Sequence, residues 1–328
     1  MSVSLYYDDV FLEHRAQGHP ECPERLTAIV ERLRGLDQTG LRWRAAAEAV
    51  SDEILELVHP TAFWQSVRDM SASGGGWLDP DTYCTSSSYE VARRAVGTSV
   101  ECTLRVCEEH APAFALVRPP GHHAMANQAM GFCLMNNIAV AARAAQQLAG
   151  IDRVAIIDID VHHGNGTQDI FIEDPTVLYC SLHQYPFYPG TGMAEVTGRG
   201  AGRGMTVNVP LPAGTDGATW LDAFDRSIPS AVDGFRPDLV LVSAGFDAHT
   251  RDPLADLDLS TEVYAEIAQR IAVLAQGTRT LASAWILEGG YAPDAIADSC
   301  ALVVSVLRYE ADGLNSRPNG VHTAARTE

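Results

Sequence analysis

Short apolar runs alternate with longer amphipathic stretches along nearly the whole chain. The runs predict strands of a buried sheet at residues 3–7, 113–117, 154–159, 177–182, 206–209, 239–243 and 283–287. Between them, apolar positions at helical spacing predict helices at residues 24–36, 51–58, 61–70, 89–109, 135–148, 220–232, 260–276 and 293–308. Alternation of strands and helices is typical of an α/β fold with a mainly parallel, doubly wound sheet.

Two segments interrupt this pattern. Residues 71–88 are rich in Gly, Ser, Asp and Pro and predict a surface loop long enough to have a function. Residues 311–328 lack periodicity, which predicts a flexible C-terminal tail. No repeat or change in composition divides the rest, so we expect a single domain over residues 1–310.

The most unusual polar sequence, DIDVHHGNGT at residues 158–167, follows a buried strand. Alternation along an extended chain turns Asp158, Asp160 and His162 to one side and His163 away. Burying such groups unpaired is unfavourable, and a divalent cation removes the penalty. Mixed Asp and His ligands suit zinc, and iron or manganese are also compatible. The alternative is a strand end that caps a helix, which needs only one such group.

Three other predicted strands also end in polar residues. They are His122 and His123 after residues 113–117, Asp247 after residues 239–243, and Tyr291 after residues 283–287. Taken singly, each has an alternative as a helix cap, a loop residue or an ordinary core residue. Because ligands bind beyond the carboxyl ends of strands in open α/β sheets, their shared position favours one site.

The residue types indicate metal-assisted hydrolysis of an amide. Three of them are the predicted metal ligands, namely Asp160, His162 and Asp247, which leaves room for water and a substrate oxygen. His122 and His123 are the expected general base and acid, and the Tyr291 hydroxyl is the expected donor to an oxyanion. His163 and His183 are expected to be structural. Five further histidines are expected at the surface or in loops, namely His14, His19, His59, His110 and His322.

Composition narrows the classes of partner. The chain has 328 residues and a formal net charge of −19, which argues against nucleic acid as a partner, although solubility alone also explains the acidity. It contains neither an apolar run of membrane-spanning length nor the pattern of a signal peptide, so we expect no membrane association and residence in the cytoplasm. The 7 cysteines include no C-x-x-C pair, which predicts reduced thiols.

Five motifs together resemble the zinc-dependent histone deacetylase and acetylpolyamine amidohydrolase family. They are RPPGHHA at 118–124, GFC at 131–133, DIDVHHGNGT at 158–167, SAGFD at 243–247 and LEGGY at 287–291. They occur in the family's order, and Asn165 and Gly121 are typical of its class II-like, bacterial type. The resemblance implies the arginase/deacetylase fold, a single domain with a mainly parallel sheet of about eight strands flanked by helices.

The resemblance also implies roles within the site. It implies one zinc ion per chain on the three predicted ligands, with His123 as general base and acid and His122 acting mainly through its charge. Asp158 would be the hydrogen-bond partner of His122, and Asn165 that of His123. A structural monovalent cation, K⁺, is implied as well. Its ligands would be Asp158, Asp160, His162, Ser181 and Leu182, some of them through backbone carbonyls.

A narrow channel for the acyl-lysine side chain is a further implication. Phe132, preceded by Gly131, would form one wall, Tyr188 the other, and Leu254 would lie at the mouth. Asp81 would hold the substrate backbone at the rim. Arg25 resembles the arginine that lines the internal cavity used by the acetate product.

The substrate is an acetylated amine, either acetyl-lysine in a protein or peptide or a small acetylated polyamine. Polyamine-selective relatives carry a glutamate after an Asp-Pro pair, whereas Leu254 follows Asp252-Pro253 here, which favours acetyl-lysine. A two-metal ureohydrolase would need additional Asp and His ligands. A non-catalytic acyl binder would lack a ligand or the oxyanion donor, and neither is missing. The chain's oligomeric state is open, and a homo-oligomer is possible.

Overall fold

A central parallel sheet organises the computed structural model, which describes residues 2–315. The strands are β1 (Val3–Tyr6), β2 (Leu41–Arg44), β3 (Gly75–Trp77), β4 (Tyr83–Thr85), β5 (Ala113–Ala115), β6 (Val154–Asp158), β7 (Val177–Gln184), β8 (Thr206–Leu211), β9 (Leu239–Ala244) and β10 (Ser283–Leu287). Eight of them form one sheet in the order β2-β1-β5-β10-β9-β6-β7-β8, with every neighbouring pair parallel. This is the single-domain α/β sheet that the sequence predicts.

Helices cover the sheet. They are α1 (Pro23–Arg34), α2 (Asp52–Leu55), α3 (Thr61–Ala72), α4 (Ser88–Glu109), α5 (Asn137–Leu148), α6 (Asn165–Phe171), α7 (Gly217–Phe235), α8 (Thr261–Gln276) and α9 (Pro293–Asn315). Helix α5 illustrates how local sequence sets a boundary, because the Asn136 side chain accepts the Ala139 N–H at 3.0 Å and caps the helix. Within residues 2–315, no helix is both long and apolar enough to cross a membrane.

Two predicted segments differ from the structure. Residues 71–88 are not a plain loop, because β3 and β4 pair as an antiparallel hairpin whose Tyr83 is buried. Helix α9 continues to Asn315, beyond the predicted start of the tail at residue 311. The rest of the predicted tail and His322 lie outside the described residues.

The middle of the sheet is buried along its whole length. All residues of β6, β7, β9 and β10 are buried, which explains why these strands are mostly apolar and do not alternate with polar positions. The four strands whose ends carry the predicted site residues are neighbours in the order β5-β10-β9-β6. Their parallel direction brings the loops that follow them to one edge.

Candidate metal centre and active site

Two carboxylates and one imidazole converge just beyond β6 and β9. The His162 Nδ1 lies 3.1 Å from Asp160 Oδ1 and 3.1 Å from Asp247 Oδ2. One ligand atom from each residue lies within 4.8 Å of the other two, and all three side chains are buried. Among residues 2–315 this is the one group of three or more His, Cys, Asp or Glu residues with such geometry.

Backbone amides hold the two carboxylates in place. Asp160 Oδ2 accepts the Gly289 N–H at 2.8 Å, and Asp247 Oδ1 accepts the Val161 N–H at 2.9 Å. A Cβ atom on Gly289 would overlap both carboxylates, and one on Gly245 would overlap Asp160. Glycine is therefore required at both positions, because the loops after β10 and β9 pass directly against the ligands.

The electrostatics of this cluster favour added positive charge. Burial opposes charge on His162, but its hydrogen bonds to Asp160 and Asp247 outweigh it and raise the His162 pKa to about 10. Burial and the Asp160 charge raise the pKa of Asp247 to about 7. Burial opposes ionisation of Asp160 too, but His122 and His162 lower its pKa. Two buried carboxylates around one imidazole therefore suit a divalent cation, and their N and O donor set is one that zinc accepts.

Asp158 does not join the three ligands, although the alternation predicted that it faces the same way. Its Oδ2 instead lies 3.0 Å from His122 Nδ1 and accepts the Tyr179 hydroxyl at 3.0 Å. Burial opposes a charged His122, but Asp160 and Asp158 outweigh it and raise the His122 pKa well above its ordinary value. His122 thus carries positive charge beside the ligand Asp160, 3.8 Å from its Nε2.

His123 has the opposite character. Its Nδ1 lies 2.8 Å from Asn165 Oδ1, an amide oxygen that can only accept. The proton of a neutral His123 is therefore on Nδ1, and Nε2 keeps its lone pair. Burial and the charges of His122 and His162 lower the His123 pKa well below its ordinary value. The structure thus places an uncharged base next to the metal cluster.

Glu288 was not identified from the sequence, although it lies inside the LEGGY motif. Its Oε2 accepts the backbone N–H groups of Gly121 and His122 at 2.6 and 3.1 Å. Burial raises its pKa to about 7. An acidic residue directly after an apolar strand was the available signal, because such a position at the carboxyl edge of a sheet is buried beside the site.

Tyr291 lies on the loop after β10, near enough to the ligands that the charges of Asp247 and Asp160 act on its phenol. Its ring packs edge-on against Phe132 at 5.6 Å, and the Arg25 guanidinium lies 4.7 Å from its centroid. Burial raises the Tyr291 pKa well above its ordinary value, so the phenol keeps its proton. Arg25 donates to the carbonyls of Gly290 and Glu288, both at 2.5 Å.

Arg25 belongs to a buried ionic cluster beneath the site. Glu21 accepts from Arg25 at 3.0 Å and from Arg118 at 2.5 and 2.7 Å. Its pKa is lowered to about 2, because the charges and hydrogen bonds of the arginines outweigh burial. His14, expected at the surface or in a loop, lies in a loop but is buried there, and its ring stacks on Tyr83 at 4.2 Å.

A cavity of about 220 Å³ leads from the surface to the cluster. It is lined by Asp81, His123, Gly131, Phe132, His162, Phe187, Tyr188, Leu254 and Tyr291. All five predicted channel residues are in this lining. Phe187 was missed, and its ring stacks on His162 at 5.5 Å. Tyr188 stands edge-on to His123 at 5.2 Å. Aromatic faces around a narrow cavity suit a slim aliphatic chain.

Backbone conformation shapes one wall of this channel. Gly131 and Phe132 both have positive φ, of 56° and 68°. A side chain at Gly131 would overlap the His123 ring, which explains the glycine. Phe132 in this region is strained, and its N–H is held by Thr82 Oγ1 at 3.0 Å. The hairpin that carries Thr82 therefore helps to aim an aromatic ring into the channel.

The remaining predicted residues lie as follows. Ser181 is the register partner of Asp158 on the neighbouring strand β7, and Leu182 follows it, so the five residues predicted for a monovalent cation are adjacent and buried. His163 and His183 are buried and hydrogen-bonded, to Thr191 Oγ1 and Ser181 Oγ respectively. His59, expected at the surface or in a loop, lies in the loop between α2 and α3 and is buried.

Comparison with known proteins gives a consistent result. Residues 19–307 match the histone deacetylase domain family. The chain is 40% identical to the histone deacetylase-like amidohydrolase of Pseudomonas aeruginosa, over 88% of this chain and 76% of that one. It is 39% identical to a probable deacetylase of Methanothermobacter thermautotrophicus, over 87% and 85% of the two chains. The crystal structure of the HDA15 HD domain superposes with a TM-score of 0.88 at 38% identity, over 94% of this chain and 90% of the other.

Proposed function

The chain belongs to the histone deacetylase family, and we propose that it is a zinc-dependent hydrolase of acetyl-lysine. Relatives in this family are named deacetylase or amidohydrolase, which supports a hydrolase of that class. The proposal of zinc and of an acetyl-lysine substrate rests on one observation, the cluster of Asp160, His162 and Asp247 at the end of a narrow aromatic channel. The reaction would cleave the amide C–N bond and release acetate and a free amine.

Asp160, His162 and Asp247 would hold one zinc ion. Zinc bound there supplies a Lewis acid that polarises the substrate carbonyl and acidifies water. Two carboxylates and a neutral imidazole would leave coordination positions free for substrate and water. The Gly289 and Val161 amides keep the carboxylates oriented, so the ligands are preorganised.

His123 is the proposed general base. Its Nδ1 proton is donated to Asn165, so Nε2 is free to take a proton from water as the oxygen attacks the carbonyl carbon. The same nitrogen then gives that proton to the amine as the C–N bond breaks. His122, charged and held by Asp158, stabilises negative charge that develops nearby.

Tyr291 is the proposed oxyanion donor. Its phenol stays protonated, because burial raises its pKa, and it can donate to the carbonyl oxygen as negative charge forms there. Phe132 and Tyr188 would flank the methylene chain of the substrate and exclude water. Asp81 at the rim would accept from the substrate backbone, and Arg25 would face the acetate product.

The choice of acetyl-lysine rests on the mouth of the channel. Leu254 lines it where polyamine-selective relatives carry a glutamate, so an apolar side chain meets the substrate there. Small acetylated polyamines are the alternative substrate. Comparison of kcat/KM on acetyl-lysine peptides and on acetylputrescine or acetylspermidine tests the choice. We expect higher values for the peptides, and a preference of about 100-fold for a polyamine would contradict the proposal.

Several accompanying properties are proposals as well. A structural K⁺ at Asp158, Asp160, His162, Ser181 and Leu182 is supported by their adjacency. Replacing KCl by the chloride of a larger cation should then lower thermal stability.

We also propose cytoplasmic residence, with neither nucleic acid nor a membrane as partner, although relatives from Arabidopsis thaliana and rice are named chloroplastic.

A further inference from the structure

Asp252 lies between the channel wall and the tyrosine loop. It is 8% exposed, so water competes little for its carboxylate. Oδ2 accepts the Tyr291 N–H at 2.5 Å, and Oδ1 accepts the Leu254 N–H at 3.0 Å. One carboxylate thus holds the backbone of two residues that line the channel.

The peptide group before Tyr291 is held at both ends. Arg25 donates to the Gly290 carbonyl at 2.5 Å, and the N–H of the same peptide group donates to Asp252. Both bonds involve a charged side chain, which makes them stronger than neutral hydrogen bonds. Glycines at 289 and 290, the second with φ of 115°, leave this segment little intrinsic preference for one conformation. The orientation of the peptide group therefore depends on its two partners.

We propose that Asp252 is a positioning residue for the Tyr291 hydroxyl and, through Leu254, for the facing channel wall. The inference rests on the proposed function and adds a determinant of its rate. Asp252 follows the metal ligand Asp247 in the same loop, and its own N–H donates to the His249 carbonyl at 2.8 Å. The loop after β9 therefore sets both a metal ligand and the position of the oxyanion donor.

A purely local role is the competing explanation. The bond to Leu254 spans two residues and would stabilise the turn by itself. The bond to Tyr291 joins residues far apart in the chain and contributes nothing to that turn. Kinetics can separate the two roles, because a loose turn lowers stability whereas a displaced hydroxyl lowers kcat.

The test compares Asp252→Asn with Asp258→Asn in the zinc-loaded enzyme. The amide keeps the size of the carboxylate but offers one acceptor oxygen for two N–H donors. We expect kcat for an acetyl-lysine peptide to fall about 10- to 100-fold in Asp252→Asn, with KM changed less than about threefold. Asp258, an exposed acid in the same segment, is the matched control and should leave both constants unchanged. A kcat within about twofold of wild type for Asp252→Asn overturns the inference.

Coupling to the hydroxyl gives a second readout. In a Tyr291→Phe background, Asp252→Asn should lower kcat by less than about twofold, because the group that it positions is gone. If the two substitutions instead lowered kcat independently, so that their effects multiplied, Asp252 would have a structural role only and the inference would be overturned. Amide hydrogen exchange over residues 289–292 should be faster in Asp252→Asn and unchanged in Asp258→Asn, and equal exchange would also overturn it.

If Asp252→Asn does not fold, Asp252→Glu serves the same purpose, since it keeps the charge and displaces the carboxylate by one methylene. We expect reduced kcat with a melting temperature near that of wild type, and wild-type kcat would overturn the inference. Wild-type turnover of the peptide is measured first. Its absence would refute the proposed function, whereas a fully active Asp252→Asn would refute only the positioning role.

Discussion

Neighbouring side chains of the same type have different tasks in this site because their partners differ. His122 faces a carboxylate and holds a proton, whereas His123 faces an amide oxygen and stays neutral. The two rings lie only 4.1 Å apart, and the charge of the first helps to keep the second uncharged. Residue 165 bonds directly to the His123 ring, so exchanging its amide for a carboxylate should shift the His123 pKa upwards.

Asn165→Asp should make His123 more basic, because a carboxylate stabilises the imidazolium form that an amide does not. A higher pKa moves the acidic limb of the kcat/KM profile to higher pH, since His123 must be neutral to act as base. The measurement is the pH–rate profile on an acetyl-lysine peptide for both proteins. An acidic limb at the same pH in the two would contradict this role of residue 165.

Tyr291→Phe should lower kcat about 100- to 1000-fold with little change in KM, because it deletes one oxyanion donor and keeps the ring. Steady-state kinetics measure the effect, with circular dichroism as the check on folding. Activity within about threefold of wild type would exclude the hydroxyl from the chemistry.

The strand ends in the sequence predicted the residues of the site, whereas the family resemblance alone implied the distant partners of the two histidines, Asp158 and Asn165. The metal ligands, the histidine pair and Tyr291 all follow apolar runs that stand out along the chain. Glu21, Glu288 and Asp252 act through hydrogen bonds to residues distant in sequence, and no local pattern indicates such bonds. Burial of His14 and His59 was missed for the same reason.

Among the elements, the strands with unbroken apolar runs were predicted well, since they lie in the middle of the sheet. Strand β2 was missed because it is an edge strand whose Leu-Arg-Trp-Arg sequence is only half-buried. Helix α6 was missed because it begins at Asn165, inside a glycine-rich motif without apolar periodicity. The β3–β4 hairpin depends on tertiary packing of short strands that carry glycines.

His59 joins the segment between α2 and α3 to the start of α5. Its Nδ1 donates to the Ala126 carbonyl at 3.0 Å, and its Nε2 accepts the Asn136 N–H at 2.8 Å. The bond from Asn136 needs the neutral ring, because a protonated Nε2 cannot accept, and burial lowers the His59 pKa from 6.5 to about 4. Above pH 6.5 the ring is neutral in both states. As pH falls from 6.5 towards about 4, the unfolded chain takes up a proton that the folded chain does not, so stability is lost.

His59→Gln should reduce this acid sensitivity, because the amide can make both hydrogen bonds and does not titrate. Between pH 7 and pH 5, wild type should lose about 2 kcal/mol more of its free energy of unfolding than the variant. Urea denaturation at the two pH values measures the difference. Parallel losses in the two proteins would show that His59 does not contribute to acid lability.

For the whole molecule, the parallel sheet is what brings the site together. Strands β5, β10, β9 and β6 are consecutive in the sheet, so loops from distant parts of the chain meet at one edge. That convergence follows from topology and could be predicted. The width of the channel depends on loop conformations, such as the positive φ of Phe132, and could not.

Zinc should stabilise the fold as a whole, because the site exists only in the native state. At about 100 times its dissociation constant, zinc should add about 2.7 kcal/mol, which corresponds to a rise of roughly 5 °C in melting temperature. Thermal unfolding of metal-free protein with and without zinc measures this effect. An equal rise in Asp247→Ala would place the stabilising ion elsewhere.

The central claim is a single zinc ion held by Asp160, His162 and Asp247. Its most direct test is the metal content of the purified chain and of Asp247→Ala after dialysis against zinc and then zinc-free buffer. The account predicts one zinc per chain in the wild type and none in the variant. Two metals per chain, no zinc in the wild type, or equal zinc in both proteins would contradict it.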